Sequence, residues 1–357
     1  MGIADPCLDQ AQLAELQRAG GRHIGLSMTE ACPLSCAHCA AAAVPAARHP
    51  QVCLSPDLVA RFCADMPALA RQGVERISLT GGEPVLALEA VAALSAAARA
   101  VGIRTTLVTG LHWAAGHGAR ARVIGRLTDV DAWHLSWDKF HAPQVRFESL
   151  AAAAHEIAAT GAEILIRVAV ADPPDQFDRT VIERVEGELG IYPMTVQSVL
   201  AVGRASPARV RGAPGDGPGW PCLSTGPLVM PDGSARPCCA SMMDRPNHPF
   251  AARSAKEGLP ALHRAWREDP LLLMIRAVGF QPLLHVLGEV APGHALLRDT
   301  PVHPCDLCQR LFDDGQVADR VAARFREEDL ASLARAAAET VLGETIAAEP
   351  EKEMTHA

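Results

Sequence analysis

The sequence lacks any stretch of about 20 apolar residues free of charge and proline, so no membrane-spanning helix is expected. It lacks a basic excess: 33 Lys and Arg stand against 41 Asp and Glu, a formal net charge of −8. Nothing in that balance favours nucleic acid or an anionic membrane surface as a partner. The opening stretch MGIADPCLDQAQLAELQRAGG has Asp5 and Pro6 early and no long apolar segment. It does not read as a secretory signal, and a cytoplasmic location is expected. Those residues are also too few for a separate peptide-recognition domain before the first strand. What the chain does have is cysteine, eleven among 357 residues. In a reducing compartment clustered cysteines point to metal or catalysis more often than to disulfides.

Short β-rich runs alternate with Ala-rich helical runs from residue 22 to about 205. The strand candidates are 22–28, 75–80, 103–109, 132–137, 163–170 and 194–200. Several are nearly continuous apolar runs, as expected of strands covered on both faces. Helix candidates lie at 56–72, 86–101, 115–128, 143–160 and 176–189. Ser55 is placed to cap the first, in which Leu58, Phe62, Met66 and Leu69 form one stripe. Gly73, Gly102, Gly161 and Gly190 stand at helix-to-strand boundaries. Six β-then-α units argue for a parallel α/β sheet, open or partly closed into a barrel. A Pro/Gly-rich stretch, 203–221, separates this part from a second one with helices at 259–268 and 270–289 and five more cysteines. A charged helix follows at roughly 316–345, then a frayed tail.

EACPLSCAHCA, residues 30–40, places Cys32, Cys36 and Cys39 in C-x3-C-x2-C just after the first strand, on the end that carries chemistry in parallel α/β folds. A structural zinc site uses four closed ligands. Three thiolates suit a [4Fe–4S] cube whose fourth iron stays open. The next strand ends in Gly81-Gly82-Glu83-Pro84. Taken alone these residues read equally well as an ordinary Gly-Gly turn opening a helix or as backbone that lets a ligand come close, with a carboxylate for an ammonium group.

Together the two motifs resemble the radical S-adenosylmethionine (SAM) superfamily. The resemblance implies that the open iron chelates the amino and carboxylate groups of SAM, and that one electron splits SAM into methionine and a 5′-deoxyadenosyl radical, which takes a hydrogen from substrate. It implies that the Gly81–Pro84 motif holds the SAM amino group. His38 stands where relatives often carry an aromatic residue. Ser136 falls where relatives often place a polar residue near the SAM ribose. Arg167, a charge in an apolar strand, is a candidate partner for the SAM carboxylate or half of a structural ion pair. Gln197, with Gly203-Arg204-Ala205 after it, resembles the sixth-strand pattern. Strand three ends Val108-Thr109-Gly110 where relatives often show Thr-Asn-Gly, which leaves Thr109 without an assigned role.

Cys222, Gly233 and Cys238, followed by Cys305 and Cys308 in C-x2-C, form a second set. The Pro231-Asp232-Gly233 turn is expected to fold a hairpin that brings Cys222 and Cys238 to one end. Four thiolates alone suit zinc. In this context the spacing resembles the SPASM/Twitch auxiliary-cluster domain, and the absence of cysteines after Cys308 resembles the shortened Twitch form with one auxiliary [4Fe–4S] cluster. Cys239 is an alternative to Cys238.

The expected organisation is thus an N-terminal extension (1–21), a partial (β/α)6 barrel (22–205), a small auxiliary-cluster domain (206–312) and a C-terminal helix and tail (313–357). Asp138, Lys139 and His141, near the mouth of strand four, are candidates for proton exchange after hydrogen abstraction, or else part of a solvated loop. The expected reaction is modification of a ribosomally made precursor peptide, with dehydrogenation of a small alcohol or aminocyclitol as the rival and a reductant such as flavodoxin or ferredoxin as partner. A zinc-stabilised binding protein is the alternative from outside the enzymes.

Overall fold

The computed structural model describes residues 10–199, 202–205, 220–238, 247–300 and 304–344. The alternation read from the sequence is there in chain order. Helix α1 (Gln10–Ala19) precedes β1 (His23–Ser27), and α2 (Pro56–Arg71) leads to β2 (Arg76–Thr80). Then come α3 (Leu88–Arg99), β3 (Arg104–Thr109), α4 (His117–Arg126), β4 (Ala132–Ser136), α5 (Phe147–Ala158), β5 (Glu163–Val170), α6 (Gln176–Leu189) and β6 (Met194–Ser198). Ser55 caps α2 by accepting from the Leu58 N–H, and Phe62, Met66 and Leu69 are buried beneath it. Of the boundary glycines, Gly73, Gly102 and Gly161 take positive φ, whereas Gly190 stays right-handed at −63°.

The six strands pair in parallel in sequence order. Burial alternates most regularly along β2 and β5. Ile24, Leu26, Ile77, Leu79, Trp133, Leu135 and Ile166 face outward and are at most 1% exposed, forming the core beneath the helices. The opposite face carries His23, Ser27, Arg76, Ser78, Thr106, His134 and Arg167, which line one cavity of about 1120 Å³. The expectation of strands apolar on both faces is corrected here: one face of the sheet packs and the other wraps a polar chamber.

The second part does not stand apart from this sheet. Strand β7 (Leu228–Val229) pairs in parallel with β1, and β8 (Ala235–Arg236) pairs antiparallel with β7, extending the sheet to eight strands. The expected hairpin turn is present: Gly233 has φ +83°, and the Ser234 N–H donates to the Asp232 carboxylate at 2.8 Å. Helix α7 (Leu259–Glu268) lies where expected. The single helix expected at 270–289 is two, α8 (Pro270–Ala277) and α9 (Gln281–Val290), because Gly279 at φ +98° breaks the run. After α10 (Pro304–Leu311), the charged C-terminal helix likewise divides into α11 (Gly315–Phe325) and α12 (Glu328–Ala337). Buried Arg276 of α8 pairs with Glu344 and lies over the Trp266 ring at 4.3 Å. Gln17 of α1 donates to the Arg276 carbonyl at 2.9 Å, so α1 and Glu344 both meet α8 at Arg276. Among the described residues no helix is long and apolar enough to cross a membrane.

Candidate active site

The three cysteines of the first motif sit on a loop that β1 delivers to the carboxyl end of the sheet. The loop is shaped by its own backbone. Ala31–Cys32 pairs in parallel with Val44–Pro45, the Cys39 N–H donates to the Cys36 carbonyl at 3.2 Å, and Leu34 N–H donates to the Cys32 sulfur at 3.3 Å. All three thiols are free of disulfides and line the cavity. Burial, ahead of the neighbouring Glu83, Cys39 and Cys36 charges, pushes the Cys32 thiol up to about 12.

Gly81 and Gly82 press against this loop. The Gly82 N–H donates to the Thr29 carbonyl at 2.7 Å and the Glu83 N–H to the Ala31 carbonyl at 2.8 Å. A Cβ on Gly82 would stand 2.2 Å from the Ala31 oxygen, so no larger residue fits without moving one loop. Both glycines also line the cavity beside the cysteines. The Glu83 side chain turns away toward the end of β3. Fully buried, it accepts from the Thr109 hydroxyl (2.9 Å), the Gly110 N–H (3.0 Å) and the Val85 N–H (3.2 Å). The Thr109 oxygen in turn accepts from the Leu111 N–H and the Trp113 indole at 3.1 and 3.0 Å. Thr109, left unassigned by the sequence, is the hub joining two strand ends. Pro84 is buried and opens a short 3-10 turn, 84–87.

Two further residues grip the cysteine loop. Arg204, just past β6, donates through Nε to the Cys36 carbonyl and through Nη1 to the Ala43 carbonyl, each at 2.8 Å, while its N–H donates to the Cys39 carbonyl at 3.0 Å. Gly203 before it has φ +56°, and a Cβ there would meet the Cys39 oxygen at 2.3 Å. Gln144 accepts from the Ser35 N–H at 2.9 Å and directs its amide N–H toward the Cys36 sulfur at 3.8 Å. The sequence offered a pattern for Arg204 but no mechanism, and no signal for Gln144.

Asp138 and His141 are 1% and 7% exposed, which corrects the solvated-loop alternative for that pair. Asp138 accepts from His141 Nδ1 at 2.8 Å and from the N–H groups of Phe140 and Ala169, and His38 Nε2 lies 3.5 Å from its other oxygen. Burial works to raise the Asp138 carboxyl, but the His141 hydrogen bond and charge hold it below its ordinary value. Burial opposes the charge on His141 too, and Asp138 with Cys36 overrides it and raises His141. Lys139 is placed elsewhere. Its ammonium pairs with Asp175 at 2.6 Å and Asp178 at 3.0 Å, bracing α6, and it does not line the cavity. Ser136, Arg167 and Gln197 do line it, and Arg167 donates to the Gln197 side-chain oxygen Oε1 at 2.9 Å.

In the second set, Cys222 and Cys238 flank the hairpin. The Ser224 hydroxyl bridges toward the Pro237 carbonyl at 3.4 Å, and the Cys222 N–H donates to the Ile275 carbonyl at 2.8 Å. Cys305 and Cys308 lie one turn apart on α10, on one face of it. Cys239 and Cys7 fall outside the described residues.

The donor chemistry of both sets is all thiol, which suits iron–sulfur clusters and zinc. Four thiolates on one zinc ion stand about 3.8 Å apart, given a Zn–S bond of about 2.3 Å. Among the described residues no three cysteine sulfurs lie within 4.8 Å of one another. Three thiols in the first motif are one short of a closed zinc site and fit an iron–sulfur cluster with an open iron.

No family model matches the chain, and no curated protein does either. Solved structures are similar in outline. SuiB of Streptococcus suis bound to S-adenosylmethionine is 15% identical with a TM-score of 0.45, over 72% of this chain and 68% of that one. Native anSMEcpe with bound AdoMet is 13% identical with a TM-score of 0.47, over 87% and 99%. The anSMEcpe complex with AdoMet and the Cp18Cys peptide gives 13%, 0.46, 87% and 98%. At these identities and scores the functional reading rests on the site itself.

Proposed function

We propose that this chain is a radical SAM enzyme of the SPASM/Twitch kind. The observation that carries the reading is the joint: three free thiols and the Gly81–Gly82 backbone line one large cavity, and the Gly82 and Glu83 N–H groups tie that backbone to the Thr29 and Ala31 carbonyls leading into the cysteine loop, at the carboxyl end of a parallel sheet. When bound through Cys32, Cys36 and Cys39, a [4Fe–4S] cluster with an open iron supplies one-electron reductive cleavage of SAM.

The chain's own residues divide the remaining work. Arg204 and Gln144 fix the cysteine loop, and Gly81 and Gly82 fix its distance from β2. Backbone at Gly81–Pro84 is offered for the SAM amino group, Ser136 for the ribose, and Arg167 with Gln197 for the carboxylate. Asp138 holds His141 at the cavity wall, where the imidazole can take or return a proton once the substrate has lost hydrogen. Lys139, tied to Asp175 and Asp178, has a bracing role instead. Cys222, Cys238, Cys305 and Cys308 would hold an auxiliary [4Fe–4S] cluster used for electron transfer or support of the fold. The substrate favoured is a precursor peptide, the reductant a flavodoxin or ferredoxin, and the location cytoplasmic.

The test is anaerobic reconstitution followed by incubation with dithionite and SAM. We expect roughly eight irons per chain, four per cluster, and release of 5′-deoxyadenosine that Cys36→Ala abolishes. Zinc without acid-labile sulfide would sink the reading and favour a scaffold. With candidate substrates added, loss of two hydrogens from a peptide and oxidation of a free alcohol are separated by mass spectrometry.

A further inference from the structure

The cavity continues below the cysteine loop into the barrel, and its character there is specific. Arg76 and Arg104 pair in register at the first residues of β2 and β3, and Ser78 and Thr106 pair in the layer above. All four line the cavity, as does His134 of β4. Two residues of strand rise put these layers about 6.6 Å apart. Arg104 is neutralised by Glu163 at 2.7 Å, and Arg22 at the same mouth by Glu75 at 2.9 Å. The Arg76 guanidinium, on an exposed residue at the cavity mouth, makes no hydrogen bond or ion pair among the described residues; burial first, then the Arg167 and Arg76 charges, lower His134 to about 4. Thr106 lines the cavity and is 1% exposed, and its buried hydroxyl has no hydrogen-bond partner. A buried hydroxyl without a partner costs free energy unless a ligand or water completes it. The Ser78 hydroxyl is held by His23 Nε2 at 2.8 Å, so its remaining valence has a fixed direction. An unpaired guanidinium, an orphan hydroxyl and an oriented hydroxyl around one polar chamber, in a chain of net charge −8, make a recess for negative charge.

We propose that the Ser78–Thr106 layer, with Arg76 beneath it and His134 beside it, binds an anionic group, a carboxylate or a phosphate, carried by the substrate. The word substrate rests on the proposed function; the pocket does not, because binding is read without turnover.

The test is calorimetric titration of the anaerobically purified full chain at low ionic strength with inorganic phosphate and, separately, glutarate. We expect one of the two to bind at one site per chain, the tighter one identifying the group. Arg76→Gln should weaken it about tenfold, the loss of one charge-assisted hydrogen bond. Thr106→Val, which keeps shape and fold, should weaken it severalfold. Arg99→Gln, on the outer surface beside Asp129 and Asp131, should leave it unchanged. The proposal is overturned if neither anion binds at 10 mM (about 2.7 kcal/mol of affinity), or if both pocket variants bind as the parent does. It is also overturned if S-adenosylhomocysteine displaces the anion, which would assign the pocket to the nucleotide's own carboxylate.

Discussion

Arg204 donates to the carbonyl of Cys36 through its Nε at 2.8 Å, tying the segment after the last barrel strand to the loop after the first. With the Ala43 and Cys39 carbonyls, one residue binds three acceptors of the cysteine loop. Arg204→Gln keeps the size but loses the planar fork. We expect iron in the reconstituted chain to fall from about eight to about four per molecule, with circular dichroism unchanged. Iron and sulfide analysis beside the parent decides it; full occupancy in the variant would leave Arg204 without the assigned role.

Glu83 joins the ends of β2 and β3 through Thr109. In Glu83→Gln, an amide group replaces one acceptor oxygen and faces either the Gly110 or the Val85 N–H donor, which are bound to different oxygens. A buried carboxylate exchanged this way costs about 3 kcal/mol, while Thr109→Val, which strands the Trp113 indole and the Leu111 N–H, costs about 2 kcal/mol. Urea unfolding followed by tryptophan fluorescence reads both. The double variant should cost less than the sum, since each change removes the same bond.

Arg276 is 2% exposed and depends on Glu344 for its counter-charge, while burial first, and then the Arg267 charge, disfavour its ionised form. Glu344→Ala leaves a buried guanidinium unpaired and should destabilise the fold by about 3–5 kcal/mol. Arg276→Met combined with Glu344→Gln should recover much of that loss, because no naked charge remains. Guanidinium melts of the single and double variants separate these outcomes.

His263 and His248 set an acid limit. Burial lowers His263 to about 4 and His248 to about 3. His263 Nε2 lies 2.7 Å from the Gly21 carbonyl, so Nε2 carries the proton, and its buried Nδ1 has no partner; His248 Nδ1 accepts from the Phe250 N–H. The unfolded chain binds protons at these sites near pH 6.5 and the folded chain does not, so stability falls as pH drops below 6.5. Each site contributes a loss of about 2 kcal/mol between pH 6.5 and 5, at about 1.36 kcal/mol per unit. His263→Gln should flatten the dependence of melting temperature on pH in that window; an unaltered slope would remove His263 from the account.

The β/α alternation was legible because outward-facing strand residues and helix stripes follow regular periods, and α6 and α7 match their sequence limits. The inner face of the barrel was not. Arg76, Ser78 and Thr106 were hidden among Ile77, Leu79 and Leu107, and only the sheet's curvature turns that alternation into a chamber wall. Lys139 and His141 lie two positions apart, yet one braces α6 and the other reaches the cavity, a difference set by loop conformation. Arg204 and Gln144 act through carbonyls and a sulfur far away in sequence, which local pattern does not encode. The break at Gly279 was visible as a residue, but a single glycine in an apolar run does not by itself announce a new helix.

Strand β1 has neighbours on both sides only because β7, some two hundred positions later, lies along it with Gly25 opposite Leu228. During synthesis, the first-made strand therefore waits with one bare edge until most of the polypeptide has left the ribosome. Products that stop before residue 228 will present that edge to one another, and their fate is self-association in place of a smaller soluble barrel.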